Sequence, residues 1–273
     1  MQYAVHLPGP PLDRCIERLW YYSGLEVRHR RERVLPEGTF ELMINLSKEP
    51  RCLFDGDLSE SGTSFRRSWV SGAQSRYLVI DALPGSSMIG VHFRPGGAAA
   101  VLGIPSGLFR DRVIELEDVW GVGCRDLRDA LLEAPSATAK FLVLERELRR
   151  RFDRAPSVGR PALDYAVQRL ATNPVSALIT ALAGELGWSH KHFIQEFRRT
   201  VGLEPKRFCR IRRFQQVLRQ VEKGDMIEWA GLAADCGYFD QSHFIREFRE
   251  FSGLRPSVYL RERGEYLNFV PIG

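Results

Sequence analysis

None of the five cysteines (Cys15, Cys52, Cys124, Cys209 and Cys236) stands in a C-x-x-C pair, and their number is odd. That spacing supports neither a disulfide framework nor a zinc site, and it reads as reduced thiols, several of them buried. No stretch approaches the roughly 18 apolar residues that a membrane span requires. The start, MQYAVHLPGPPLDR, has neither the basic nor the apolar region of a secretory signal, so a cytoplasmic protein without a membrane partner is expected. In the first half His6, His29 and His92 have no metal-ligand spacing, so no metal and no cofactor is expected.

What the chain does have is a repeat. LAGELGWSHKHFIQEFRRTVGLEPKRF (182–208) lies over LAADCGYFDQSHFIREFREFSGLRPSVY (232–259). Leu182, Ala183, Gly187 and Trp188 match Leu232, Ala233, Gly237 and Tyr238 at an offset of 50. Phe193, Phe197, Gly202, Leu203 and Pro205 match Phe244, Phe248, Gly253, Leu254 and Pro256 at 51. The one-residue slip falls just after the aromatic, where a turn absorbs it. Two copies are too few for a solenoid, which needs about three repeats to bury a continuous core, so a pair of small modules is expected.

Charge is unevenly spread. The net charge is +5 over 273 residues, yet between Arg198 and Arg219 eight basic residues accompany a single acid, Glu204. Such a band is either a solvated face or a set of phosphate contacts, which supply the sequence-independent part of DNA affinity.

The first half reads as strands. RVLPEGTFELMINL (33–46), SWVSGAQ (68–74), RYLVIDALPG (76–85) and SMIGVHFRPGG (87–97) are short, rich in Val, Ile, Leu and Phe, and punctuated by Gly and Pro, the pattern of a β-sandwich or barrel. Beyond Gly97 the pattern turns helical. SATAKFLVLERELRRRF (136–152) spaces Phe141, Leu144, Leu148 and Phe152 for one helix face, with Ser136 as N-cap. These signals divide the chain into a β-rich sensor domain with helices (1–152), a linker rich in Pro, Gly and charge (153–160), a helical domain (161–264) and a tail (265–273).

Each repeat has the chemistry of a helix-turn-helix. In the first, Leu178, Ile179 and Leu182 share a face, Gly187 suits the positive φ past a helix end, and Ser189 caps a second helix with Phe193 and Phe197 on its core side. In the second, Asp240 is the cap and Phe244 and Phe248 the core pair. The open faces carry His190, Lys191, Gln195, Arg198 and Arg199 in one copy and Gln241, Ser242, Arg246 and Arg249 in the other. Arg and Lys pair with guanine edges and Gln with adenine, which is what the second helix of such a unit needs in the major groove. A basic helix over 206–224, with Phe208, Ile211, Val217, Leu218 and Val221 inward, joins the units and sets them about one DNA turn, or ~34 Å, apart.

The tandem unit, and GYFDQSHFIREFREFSGLRPSVY above all, resembles the C-terminal DNA-binding module of the AraC/XylS family of bacterial transcription regulators. The resemblance runs from near Pro161 to Arg263 and implies a module of about seven helices with two helix-turn-helix units. The implied fold class is α+β: a mainly-β N-terminal domain, cupin-like or a small barrel or sandwich, and an all-α tandem helix-turn-helix domain. By position the implied base contacts are Lys191, Gln195, Gln241, Ser242 and Arg246, with Ile194 limited to a thymine methyl. Backbone contacts are expected from His190, Arg198, Arg199, Arg207, Arg210, Arg213 and Arg249. Leu218 stands where many members have a small residue, and the first motif is the less typical copy. The N-terminal half resembles a domain of unknown function that often precedes this module. Glu37 and Arg94 are its weak candidate ligand-binding residues, since turn geometry is the plainer reading of Glu37 and an exposed or salt-bridged strand end that of Arg94.

The function expected is sequence-specific DNA binding and transcription regulation, non-enzymatic, with double-stranded DNA as partner. RNA polymerase, a small-molecule effector and a second copy of the chain are further candidate partners. Two rivals remain: a ligand-binding protein whose helices serve oligomerisation, and a DNA-repair enzyme fused to the module, which needs a reactive cysteine in a basic or metal-binding cluster.

Overall fold

Alternation along the strands decides what the N-terminal half buries, and two antiparallel sheets result. The computed structural model describes residues 1–154, 161–223 and 228–272. The first sheet holds β1 (Gln2–His6), β2 (Ile16–Ser23), β4 (Glu41–Asn45), β7 (Ser68–Ser71), β9 (Met88–Phe93) and β10 (Val113–Glu115), in the order β1-β2-β9-β4-β7-β10. The second holds β3 (Arg31–Val34), β5 (Arg51–Phe54), β6 (Gly62–Phe65), β8 (Leu78–Asp81) and β11 (Phe269–Ile272), in the order β11-β3-β8-β5-β6. Neither sheet closes on itself, so the sandwich form of the expected fold is the one adopted.

Both faces of the first sheet are covered, so every residue of β9, MIGVHF, is buried. Its Ile89, Val91 and Phe93 join Leu19, Leu42, Ile44 and Val70 in the main core, together with Leu144 and Leu148 from the helical layer. The opposite face carries Met88 and Trp69, clustered with Phe65 and packed by Trp20, Tyr22, Met43 and Leu53. Gly90 sits between them in β9, opposite Trp20 in the strand register. A Cβ there would lie 2.3 Å from the Trp20 ring, so only glycine lets the indole lie against the strand.

Helices α1 (Ala99–Leu102), α2 (Leu116–Trp120), α3 (Cys124–Glu133) and α4 (Ala137–Phe152) follow the strands. Ser136 caps α4 by accepting from the Ala139 N–H at 3.2 Å, and Phe141, Leu144 and Leu148 are buried, with Phe152 half-buried, as the helical spacing predicts. Of the expected linker, 155–160 lies outside the described residues. Seven helices fill the second half among the described residues: α5 (Pro161–Thr172), α6 (Leu178–Glu185), α7 (His190–Val201), α8 (Pro205–Lys223), α9 (Trp229–Asp235), α10 (Gln241–Ser252) and α11 (Pro256–Glu262).

One apolar core runs through both halves. The β3–β4 loop rests on α8, where the Gln215 side chain donates to the Pro36 carbonyl at 2.9 Å and Arg212 to the Glu37 carbonyl at 3.3 Å. Of the stretch 265–273 that reads as a tail, the described residues return to the N-terminal domain. Their β11 pairs with β3, Val270 opposite Arg33, and Val270 is fully buried. The tail is therefore part of a sheet, because β11 pairs the otherwise open edge of β3 and its alternating Val270 and Ile272 face inward.

Candidate nucleic-acid interface

The slip in the repeat is visible as one inserted residue. Gly187 and Gly237 take φ of 68° and 75° after α6 and α9, and the next helix begins after Trp188-Ser189 in one copy but after Tyr238-Phe239-Asp240 in the other. Ser189 accepts from the His192 N–H at 3.2 Å and Asp240 from the His243 N–H at 2.6 Å, so both second helices are capped. Phe193 and Phe197 in α7, and Phe244 and Phe248 in α10, are fully buried. Their rings meet others from neighbouring helices: Phe197 lies edge-on to Phe208, and Phe248 to Phe214 and Tyr259.

The opposite faces are open. Lys191, Gln195, Gln241, Ser242 and Arg246 are all exposed, as are His190, Arg198, Arg199 and Arg249. Ile194 is half-buried. Among the described residues the five base-reading candidates have no side-chain hydrogen bond, and Arg198, Arg246 and Arg249 have no ion pair. The N-terminal domain touches α7 at its C-terminal end, where Gly107 packs against the Arg198 carbonyl, and leaves these faces uncovered. Phe239, 92% exposed beside the Asp240 cap, is a further aromatic at the tip of α10. Only the extra residue in the second copy hinted at it.

The basic band divides into two. Arg198, Arg199, Lys206 and Arg219 are exposed. Arg207, Arg210 and Arg213, expected on DNA phosphates, have partners within the protein, because α10 presents two carboxylates to α8. Arg210 donates to Glu247 at 2.6 Å and pairs with Glu250, and Arg213 lies 3.5 Å from Glu247 and over the Tyr238 ring. Arg207 pairs with Glu250, donates to the Ser75 carbonyl and lies over Phe251. Burial pushes Arg212 below its usual pKa, with Arg219 acting in the same direction and Glu37 and Glu17 opposing.

The ligand candidates part company. Glu37 lines a cavity of about 500 Å³ between the sheets, whereas Arg94 is outside its lining and donates to the Asp13 carbonyl at 2.8 Å. His92, read as alone in its strand, is 2% exposed and meets three carboxylates: Nδ1 hydrogen-bonds Glu41, and Nε2 lies 3.8 Å from both Glu17 and Glu37. Burial disfavours its charge, but the Glu41 charge and hydrogen bond, with Glu37, overcome that and raise its pKa. The carboxylates sit at both ring nitrogens, so they share no common centre, and among the described residues no His, Cys, Asp and Glu group could hold a metal ion. Burial also raises the thiols, Cys15 and Cys209 to about 12, which keeps them protonated and unreactive at neutral pH. Among the described residues no helix is long and apolar enough to cross a membrane.

Residues 182–262 match a family model described as a helix-turn-helix domain, and residues 4–115 match one described as a domain of unknown function (DUF6597). The chain is thus a DNA-binding transcription regulator. More narrowly, it carries an AraC-type helix-turn-helix domain in its C-terminal part, with a DUF6597 domain in front of it. No curated protein matches the sequence. Among solved structures, ToxT from Vibrio cholerae aligns over 96% of this chain and 98% of its own at 8% identity and a TM-score of 0.49. ToxT with an unsaturated fatty acid bound aligns over 94% of each chain at 10% identity and a TM-score of 0.47. A DNA-binding transcriptional dual regulator from Escherichia coli K-12 aligns over 39% of this chain and 96% of its own at 19% identity and a TM-score of 0.32.

Proposed function

We propose that α7 and α10 read two successive major-groove segments of one operator, and that a small molecule in the cavity between the sheets sets this activity. The observation that carries the reading is the matched exposure of two capped helices, each with its phenylalanine pair buried and its Lys, Gln, Ser or Arg face free. Lys191, Gln195, Gln241, Ser242 and Arg246 are assigned to base edges, and His190, Arg198, Arg199 and Arg249 to phosphates. Arg207, Arg210 and Arg213 are assigned to holding α10 on α8. The protein works in the cytoplasm without catalysis of its own, and RNA polymerase and a second copy of the chain are its further partners.

The test is selection from random duplex DNA by the full chain at moderate salt. Two enriched blocks about one helical turn apart support tandem readout. Enrichment of a single block means that one unit alone reads bases, and no enrichment with or without ligand removes the reading.

A further inference from the structure

The cavity lies between the inner faces of the sheets, with Trp20, Tyr22, Met43, Trp69, Leu78 and Ile80 among its walls. The rings of Trp20 and Tyr22 stack on each other with centroids 6.0 Å and planes 4° apart, which makes one wall aromatic. The end of the chain closes it, through Tyr266, Phe269 and Pro271.

The charged groups inside it are already matched; Arg28 and Glu265, which have no ion pair among the described residues, are exposed at its rim. Arg51 donates to the Asp81 carboxylate at 2.9 Å and to the Ser86 hydroxyl at 3.1 Å. His29 pairs with Glu32 at 3.2 Å, and Arg18 donates to Glu17 at 3.1 Å. Glu41 takes the Trp20 indole N–H at 3.1 Å with one oxygen and His92 with the other, and Glu37 faces His92 from the far side. Burial moreover raises the pKa of Glu32, against the pull of His29. An ionic ligand seated between the sheets, away from the rim residues Arg28 and Glu265, would lie there without a counter-charge, and an unpaired charge out of water is strongly disfavoured. Glu41 still has lone pairs for one more donor.

Resting on the reading of this cavity as an effector site, we propose that it binds an uncharged, flat aromatic molecule with a hydroxyl donor. The ring lies along Trp20 and Tyr22, and the hydroxyl reaches Glu41. The volume of about 500 Å³ falls in the range of sites for drug-sized ligands.

The experiment uses the full chain and the fluorescence of N-phenylnaphthylamine, an uncharged lipophilic probe. Naphthalenemethanol, naphthoate and naphthylmethylamine, alike in ring and different in charge, compete with it at neutral pH. The alcohol is expected to displace the probe at least about tenfold more effectively than either charged analogue. Equal or better competition by a charged analogue overturns the proposal, as does a wild-type chain that does not bind the probe. Met43→Trp and Leu53→Trp, which fill the cavity from opposite sheets, are expected to abolish probe binding. Glu265→Ala, at the exposed rim, is expected to preserve it, and probe binding unchanged in a folded filling variant overturns the assignment. Operator affinity measured with each compound separates the two readings: displacement without a change in affinity keeps the ligand class and removes the effector role.

Discussion

The Glu247 carboxylate, 1% exposed on α10, accepts a hydrogen bond from Arg210 Nε on α8 at 2.6 Å. Arg213 and His243 approach the same carboxylate at 3.5 and 3.6 Å. The second helix of the second unit is thus anchored by ion pairs, while its Gln241, Ser242 and Arg246 are exposed. The joining helix commits Arg210 and Arg213 of its basic band to that anchor.

Replacing Glu247 with Ala removes the carboxylate that lies between Arg210 and Arg213, leaving Arg210 with Glu250 and Arg213 with the Gly237 carbonyl, and breaking a buried pair from one side costs about 3 to 5 kcal/mol, of which the part-exposed arginines recover some. Denaturant unfolding is expected to show a loss of up to that size. Arg210→Ala is expected to lower stability as well while leaving the salt dependence of DNA binding unchanged. A flatter salt slope for that variant would return Arg210 to the phosphate contacts.

Removal of a base reader differs from removal of a phosphate contact. Arg246→Ala is expected to cost about 1 to 3 kcal/mol on the operator and to relax preference at one base pair. Arg198→Ala is expected to weaken all sequences alike and to reduce the salt slope by about one. Binding titrations on the operator and its single-base variants distinguish the two, and a uniform loss from Arg246→Ala removes that residue from readout.

The core of each unit rests on its second phenylalanine. Phe197→Ala and Phe248→Ala each delete a fully buried ring and are expected to cost about 3 to 5 kcal/mol. Thermal unfolding that is unchanged in either variant contradicts the packing described.

The helical half was legible because its signals are local. Caps at Ser189 and Asp240, turn glycines at 187 and 237, and phenylalanines four apart all act within one helix turn. The arginine network was not, because the partners of Arg207 and Arg210 are about forty residues further on, in the second repeat. The same applies to His92. Its partner Glu41 is opposite it on the neighbouring strand, a pairing fixed by the register of β4 on β9 rather than by sequence spacing. The strand β2, which supplies Trp20 and Tyr22 to the cavity, reads as the apolar run LWYY without an evident face. The fate of the tail was hidden as well, since a short edge strand has meaning only once β3 is beside it.

His92 makes stability depend on pH. Its unfolded value is about 6.5, and in the fold burial opposes its charge while Glu41 and Glu37 raise the pKa above that value, with Glu17 and Arg18 also close by. A raised folded value means the folded state holds the proton more tightly. The contribution is therefore full below about pH 6.5 and is lost as pH rises through the folded value. Unfolding midpoints measured at intervals upward from about pH 6 are expected to fall, and His92→Gln is expected to remove that slope. A midpoint that climbs over this interval, or a slope that survives in the variant, contradicts the assignment.

Gln215 joins three parts of the chain that are far apart in sequence. From α8 its side-chain amide donates to the Pro36 carbonyl at 2.9 Å and to the Asn268 side chain at 2.8 Å, and it is nearly fully buried. Pro36 lies in the loop that lines the cavity, and Asn268 immediately precedes β11, which closes it. Gln215→Ala leaves two buried acceptors without their donor, for a cost of about 1 to 3 kcal/mol. With one core joining the halves, the wild type is expected to unfold in a single transition, seen alike by helical circular dichroism and by tryptophan fluorescence. The variant is expected to keep that coincidence at a lower midpoint. If the wild-type signals separate into two transitions, the halves are energetically independent, and contacts along α8 could not carry the state of the cavity to the recognition helices.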